Sequence, residues 1–148
     1  RLMAEDTVDK AIEVCGLPKR KCVTKKFRIH GYRKNPDLTD HMYVYGSDEP
    51  KILRLIEQEP ALGEKLSQKF GYTLAEVVWA VREEMAITLE DVLARRVRML
   101  FVDAREAMAA APKAAAVMAR ELGRDQAWID EQVKSFTDLA KNYIFEQK

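Results

Sequence analysis

Helix-start signals recur through the second half of this chain and leave little room for anything but a helical fold. Thr73-Leu-Ala-Glu76 is a capping box: the threonine oxygen takes a free amide of the first turn, and the glutamate reaches back to the cap. The helix behind it places Leu74, Val77, Val78, Val81 and Met85 on one face. Thr88 caps another, with Leu89, Val92 and Leu93 inward. Asp103-Ala-Arg-Glu106 offers a third start of the same logic, so a break is expected near residues 99–102. Residues 104–122 are alanine-rich and strongly helix-favouring, with Pro112 either kinking the helix or opening a second segment at its first turn. Gly123 ends that stretch. Asp125 caps a last helix carrying Trp128, Ile129, Val133, Phe136, Leu139, Ala140 and Tyr143 close to heptad spacing.

The first half is less regular. Residues 2–15 place Met3, Ala4, Val8, Ala11, Ile12 and Cys15 on one helical stripe, closed by Gly16 and Pro18. Residues 17–36 mix β-branched and basic side chains and read as an extended connector with one short strand near residues 23–29. Asp37 is placed to cap a short helix bearing Leu38, Met42 and Tyr45 and closed by Gly46. Ser47 or Asp48 caps the next, with Pro50 in its first turn and Ile52, Leu53 and Ile56 as its stripe. The expected architecture is all-α: an antiparallel bundle of six to eight helices, preceded by an N-terminal helix and an extended basic connector.

Charge is balanced overall and lopsided locally. The 25 Lys and Arg against 24 Asp and Glu give a formal net charge of +1, which argues against a dedicated nucleic-acid binder. Residues 19–34, KRKCVTKKFRIHGYRK, hold eight of the bases and no acid, so a local +8 sits beside a body of −7. Within that arm Lys25, Lys26 and Arg28 are candidates for contacting an anionic surface or acidic partner. No run of 18 apolar residues exists to form a membrane-spanning helix. The missing initiator Met and the absent secretory signal suggest a processed or excised cytoplasmic piece, in which Cys15 and Cys22 are reduced.

The sequence carries no recognisable catalytic or metal-binding motif. The glycines at 16, 31, 46, 63, 71 and 123 stand singly, with no G-x-G to cradle a phosphate. Ser47, Ser67 and Ser135 occupy no nucleophile context, and His30 and His41 with the two cysteines make no metal spacing. Glu83-Glu84, Glu90-Asp91 and Asp130-Glu131 are adjacent, so each pair splays by about 100° on a helix and reads as capping and ion pairing. Arg95-Arg96-x-Arg98 is denser than solubility needs and reads as a salt-bridge hub, a dock for an anion or neighbouring domain, or an exposed basic turn.

Several stretches resemble one family. Arg1-x-Met3-Ala4-Glu5 is similar to the end of a Gly-Gly-Lys-x-Thr-Thr-x-Arg-x-Met-Ala-Glu motif that closes the flavin domain of FAD-dependent glycerol-3-phosphate dehydrogenases and alpha-glycerophosphate oxidases. Cys22-Val-Thr24 with Ile29-His30-Gly31 resembles their linker. Tyr45-Gly46, residues 76–86, residues 88–98 and Phe101 resemble their C-terminal helical domain. The resemblance implies a three-part chain: residues 1–16 as a helix of the flavin domain, 17–36 as connector and 37–148 as a C-terminal helical cap domain. It implies a non-catalytic part of an enzyme that oxidises glycerol 3-phosphate to dihydroxyacetone phosphate. On that reading the chain itself has no catalytic, cofactor-binding or metal residue, and FAD belongs to the intact parent. The implied partner is the catalytic domain of the same chain, contacted through Arg95, Arg96 and Arg98. The parent is expected to be cytoplasmic or peripheral on the inner face of the cytoplasmic membrane, with homo-oligomerisation left open. The alternative is an interaction module that binds an anionic membrane surface or acidic partner through residues 19–34.

Overall fold

The structure, a computed structural model, describes residues 1–145. Among these the regular structure is helical throughout: α1 (Leu2–Val14), α2 (Glu49–Gln58), α3 (Leu74–Glu83), α4 (Met99–Val102), α5 (Ala104–Leu122) and α6 (Gln126–Lys141). Two 3-10 segments, His41–Asp48 and Pro60–Gly63, and a π-helical turn, Asp91–Arg96, join them. The strand expected near residues 23–29 is absent; that segment is turn and coil, and Lys65 and Thr73 form an isolated antiparallel bridge. Residues 19–34 have too few apolar side chains facing one way, and no neighbouring strand, to hold an extended ladder.

α5 is the axis of the bundle, packed against α3, α4 and α6. Ala104, Ala107, Ala110, Ala111, Ala114, Ala115 and Ala119 are all buried along it, so neighbouring backbones approach closely. Pro112 is exposed, and α5 runs unbroken through it; no second segment begins there. Gly123 takes a left-handed conformation (φ 63°) that ends α5 and turns the chain into α6, which is capped by the Asp125 carboxylate accepting the Trp128 amide at 3.0 Å.

The capping signals hold with two changes of partner. Asp103 accepts the amides of Arg105 and Glu106, and its extended backbone (φ −154°) makes the break between α4 and α5. Glu106 does not reach back; its carboxylate accepts the buried Ser67 hydroxyl at 2.5 Å. Asp40, not Asp37, starts the first 3-10 segment by accepting the Met42 amide, while the Asp37 carboxylate is taken up locally by Thr39.

The core begins at Met42: every buried apolar side chain lies from that residue onward. α1 forms as a helix, but none of its stripe is buried. Three further inward assignments are corrected. Leu53 is exposed, and Leu55 packs on the core with Ile56. Met85, 85% exposed, follows the end of α3 with φ +58°, which turns its side chain off the helical face. Tyr143 lies past the end of α6 and is partly exposed. Leu89, Val92 and Leu93 are fully buried, as their spacing predicts.

Candidate functional site

The most elaborate polar arrangement surrounds Glu76, the third residue of α3, 1% exposed. Its Oε2 accepts the Thr73 amide at 2.7 Å and the Thr73 hydroxyl at 3.2 Å, completing the capping box. The same oxygen meets His41 Nε2 at 3.1 Å, and Oε1 accepts the Tyr45 hydroxyl at 3.0 Å. A buried carboxylate is tolerated only when its lone pairs are filled, and here four donors fill them. The His41 imidazole is raised above its ordinary value, first by the hydrogen bond to Glu76 and against the cost of partial burial. The Tyr45 hydroxyl is pushed upward, mainly by burial and then by the Glu76 charge, so it stays protonated and donating.

This network floors a cleft of about 550 Å³. The His41–Asp48 segment, α3, the π-helical turn and α4 converge on it; Arg96 of the turn and Tyr72, in the loop before α3, line its walls. Its lip is apolar and open: Tyr43, Val44, Phe101 and Val102 all line it and are exposed. Tyr143 stands edge-on to Phe101 with ring centroids 5.6 Å apart, extending the apolar surface.

The arginine cluster divides. Arg95 donates to Asp91 at 2.9 Å and to Glu90 at 2.7 Å. Arg96 donates to the Glu84 carbonyl at 2.5 Å, and its Nε lies 3.3 Å from the Glu84 carboxylate. Burial pushes the Glu84 carboxyl up, and Arg96 pulls it back. Arg98 is exposed, adopts φ +56° at the start of α4 and has no carboxylate partner among the described residues. Ion pairing therefore engages Arg95 and Arg96 of the triplet, and Arg98 stands apart from it among the described residues.

The basic arm lies apart from the cleft. Lys25, Lys26 and Arg28 are exposed, with the Arg28 guanidinium 4.9 Å from the centre of the Tyr32 ring. The end of the arm is latched to the body: His30 Nε2 lies 2.5 Å from an Asp48 carboxylate oxygen, Arg33 pairs with Glu49, and the Ser47 amide donates to the Gly31 carbonyl at 3.2 Å. Lys51 and, less strongly, His30 hold the Asp48 carboxyl below the usual range. Cys15 and Cys22 are not bonded to each other.

Gly46 is the glycine whose missing side chain lets another stretch of backbone approach closely, and its place is taken by the Gly31 carbonyl. No described group of His, Cys, Asp and Glu is arranged to hold a metal. The titratable groups lining the cleft include the His41 imidazole and the Tyr45 hydroxyl, both engaged by Glu76. The capping-box spacing identifies Glu76 as a cap; its second role needs His41 and Tyr45, more than 30 residues upstream, and no local signal carries that. The apolar lip has no signal in the sequence, because Tyr43, Val44 and Val102 fall in short segments without periodicity.

Residues 22–129 match the family described as the C-terminal domain of alpha-glycerophosphate oxidase. Among curated proteins, the chain is 32% identical to the "probable glycerol-3-phosphate dehydrogenase, mitochondrial" of Caenorhabditis elegans, over 97% of this chain and 22% of that protein. It is 29% identical to the mitochondrial glycerol-3-phosphate dehydrogenase of Mesocricetus auratus, over 98% of this chain and 22% of that protein. It is 27% identical to glycerol-3-phosphate dehydrogenase 2 of Mycobacterium tuberculosis strain H37Rv, over 99% of this chain and 28% of that protein. The chain thus spans between a fifth and a third of the length of these relatives. No solved structure matches it.

Proposed function

The chain belongs to the family of the C-terminal domain of alpha-glycerophosphate oxidase, and from that premise we propose that it is the non-catalytic C-terminal part of a flavoenzyme that oxidises glycerol 3-phosphate. The observation that carries this is the family match over residues 22–129 in a chain that covers about a fifth of its dehydrogenase relatives. A helical body whose polar groups are spent on caps and internal pairs suits a supporting role. In this reading residues 1–16 are a helix of the flavin domain, 17–36 the connector and 37–148 the cap domain. FAD, the substrate and the product, dihydroxyacetone phosphate, are handled by residues outside this chain. The protein supplies orientation and the flavin the redox chemistry.

The full enzyme is read as cytoplasmic or peripheral to the cytoplasmic membrane; no described helix is long and apolar enough to cross one. The family match supports the flavoenzyme reading and lends nothing to an interaction module built on residues 19–34. The test compares two proteins. The 148-residue chain is expected to purify without flavin absorbance and without glycerol 3-phosphate turnover, and the full-length enzyme to show both. Stoichiometric FAD in the purified chain would overturn the reading.

A further inference from the structure

We propose that the lip formed by Val44, Phe101, Val102 and Tyr143, with Arg98 at its edge, is the face on which the flavin-bearing remainder of the same polypeptide docks. The docking segment presents apolar side chains and a carboxylate. The inference rests on the reading above, that the chain is one part of a longer flavoenzyme.

Three observations converge on this face. Its apolar side chains are contiguous: Val44 and Val102 are 64% and 63% exposed and line one cleft with Phe101, which the Tyr143 ring extends. Scattered exposed apolar residues are ordinary, whereas a joined set around a cleft marks an interaction site. Arg98 is the arginine of its triplet left without a carboxylate among the described residues, and it is held at φ +56°, a conformation non-glycine residues adopt at some cost. The floor beneath is fixed by the saturated Glu76 network, so the face is preorganised.

The occupant follows from charge and length. Covering the cleft desolvates Arg98, which requires a carboxylate in return. Among the described residues a second copy of this face offers none: the acid lining the cleft is Glu76, whose side chain is buried and whose oxygens are already taken. In an isologous dimer Arg98 would face another cationic lip. The relatives carry the matched segment as 22–28% of their chains, so a covalently attached partner is present at high effective concentration.

The test is hydroxyl-radical footprinting of the full-length enzyme, wild type against the double variant Arg98→Glu, Val102→Asp, with Arg95→Glu as control. Both substituted side chains are exposed, so the bundle itself is expected to fold. Labelling of Phe101 and Tyr143 should be about tenfold lower in the wild type and in the control than in the double variant. Equal labelling in wild type and double variant, in protein that retains flavin and turnover, overturns the docking face alone. A full-length protein without flavin overturns the underlying reading. Protection that disappears on dilution also overturns the proposal, because it assigns the face to a second copy.

Discussion

The carbonyl oxygen of Gly31 fills the place where a side chain on Gly46 would begin: a β-carbon built there would stand 1.8 Å from it. The Ser47 amide donates to the same carbonyl, and His30 and Arg33 on either side pair with Asp48 and Glu49. One missing side chain thus lets the connector seat against the corner where the first 3-10 segment meets α2.

Gly46→Ala should unseat that corner. Gly46 is buried at φ +54°, so alanine meets both a backbone penalty of about 1–2 kcal/mol and a collision with backbone that no rotamer relieves. The expected loss is about 2–3 kcal/mol in urea unfolding, with faster proteolysis within residues 19–34. Unchanged stability and cleavage would show that the contact holds nothing.

Glu76→Ala removes the acceptor for Tyr45, His41 and the Thr73 amide together and should cost about 2–4 kcal/mol. Glu76→Gln keeps one acceptor oxygen, and its amide can donate to the Tyr45 oxygen, so about half that loss is expected. Equal losses in the two variants would place the effect in charge and not in hydrogen bonding.

His41 makes stability depend on pH with a definite sign. Its folded pKa is raised above the ordinary value of about 6.5, chiefly by the hydrogen bond to Glu76, with Asp40 adding and Lys65 opposing. The contribution is complete below about pH 6.5 and fades as pH rises through the folded value. The stability difference between wild type and His41→Gln should therefore be larger at pH 5.5 than at pH 8.5. A difference that grows with pH would contradict this; comparing the pair cancels the Asp48 carboxylate, whose contribution is lost only at acid pH.

Ala111→Leu should be the harshest of the alanine-face substitutions and Ala109→Leu nearly silent. Ala111 is fully buried at the middle of α5, while Ala109 is exposed on the same helix. Overpacking costs about 1–3 kcal/mol where backbones are close, so melting curves of the two variants should separate by several degrees. Matching curves would mean that the α5 seam has room to spare.

The helical class, the caps at Thr73, Thr88, Asp103 and Asp125 and the stop at Gly123 were legible in the sequence because each depends on residues within one turn. Local hydrogen bonding also misled: Asp37 has the right side chain to cap, but its carboxylate is satisfied by Thr39, and Asp40 takes the role. The split of the arginine triplet was beyond sequence, since Glu84 reaches Arg96 only once the chain turns at Met85.

Sequence by itself therefore determined which segments are helical and where they begin and stop, because capping, propensity and proline chemistry act over three or four residues. Only the tertiary structure decided which apolar side chains are covered, that Glu76 serves Tyr45 and His41 as well as its own cap, and that Arg98 is exposed with no carboxylate partner among the described residues. Those outcomes depend on groups far apart in the chain, and burial is a property of the packed body and not of any one helix.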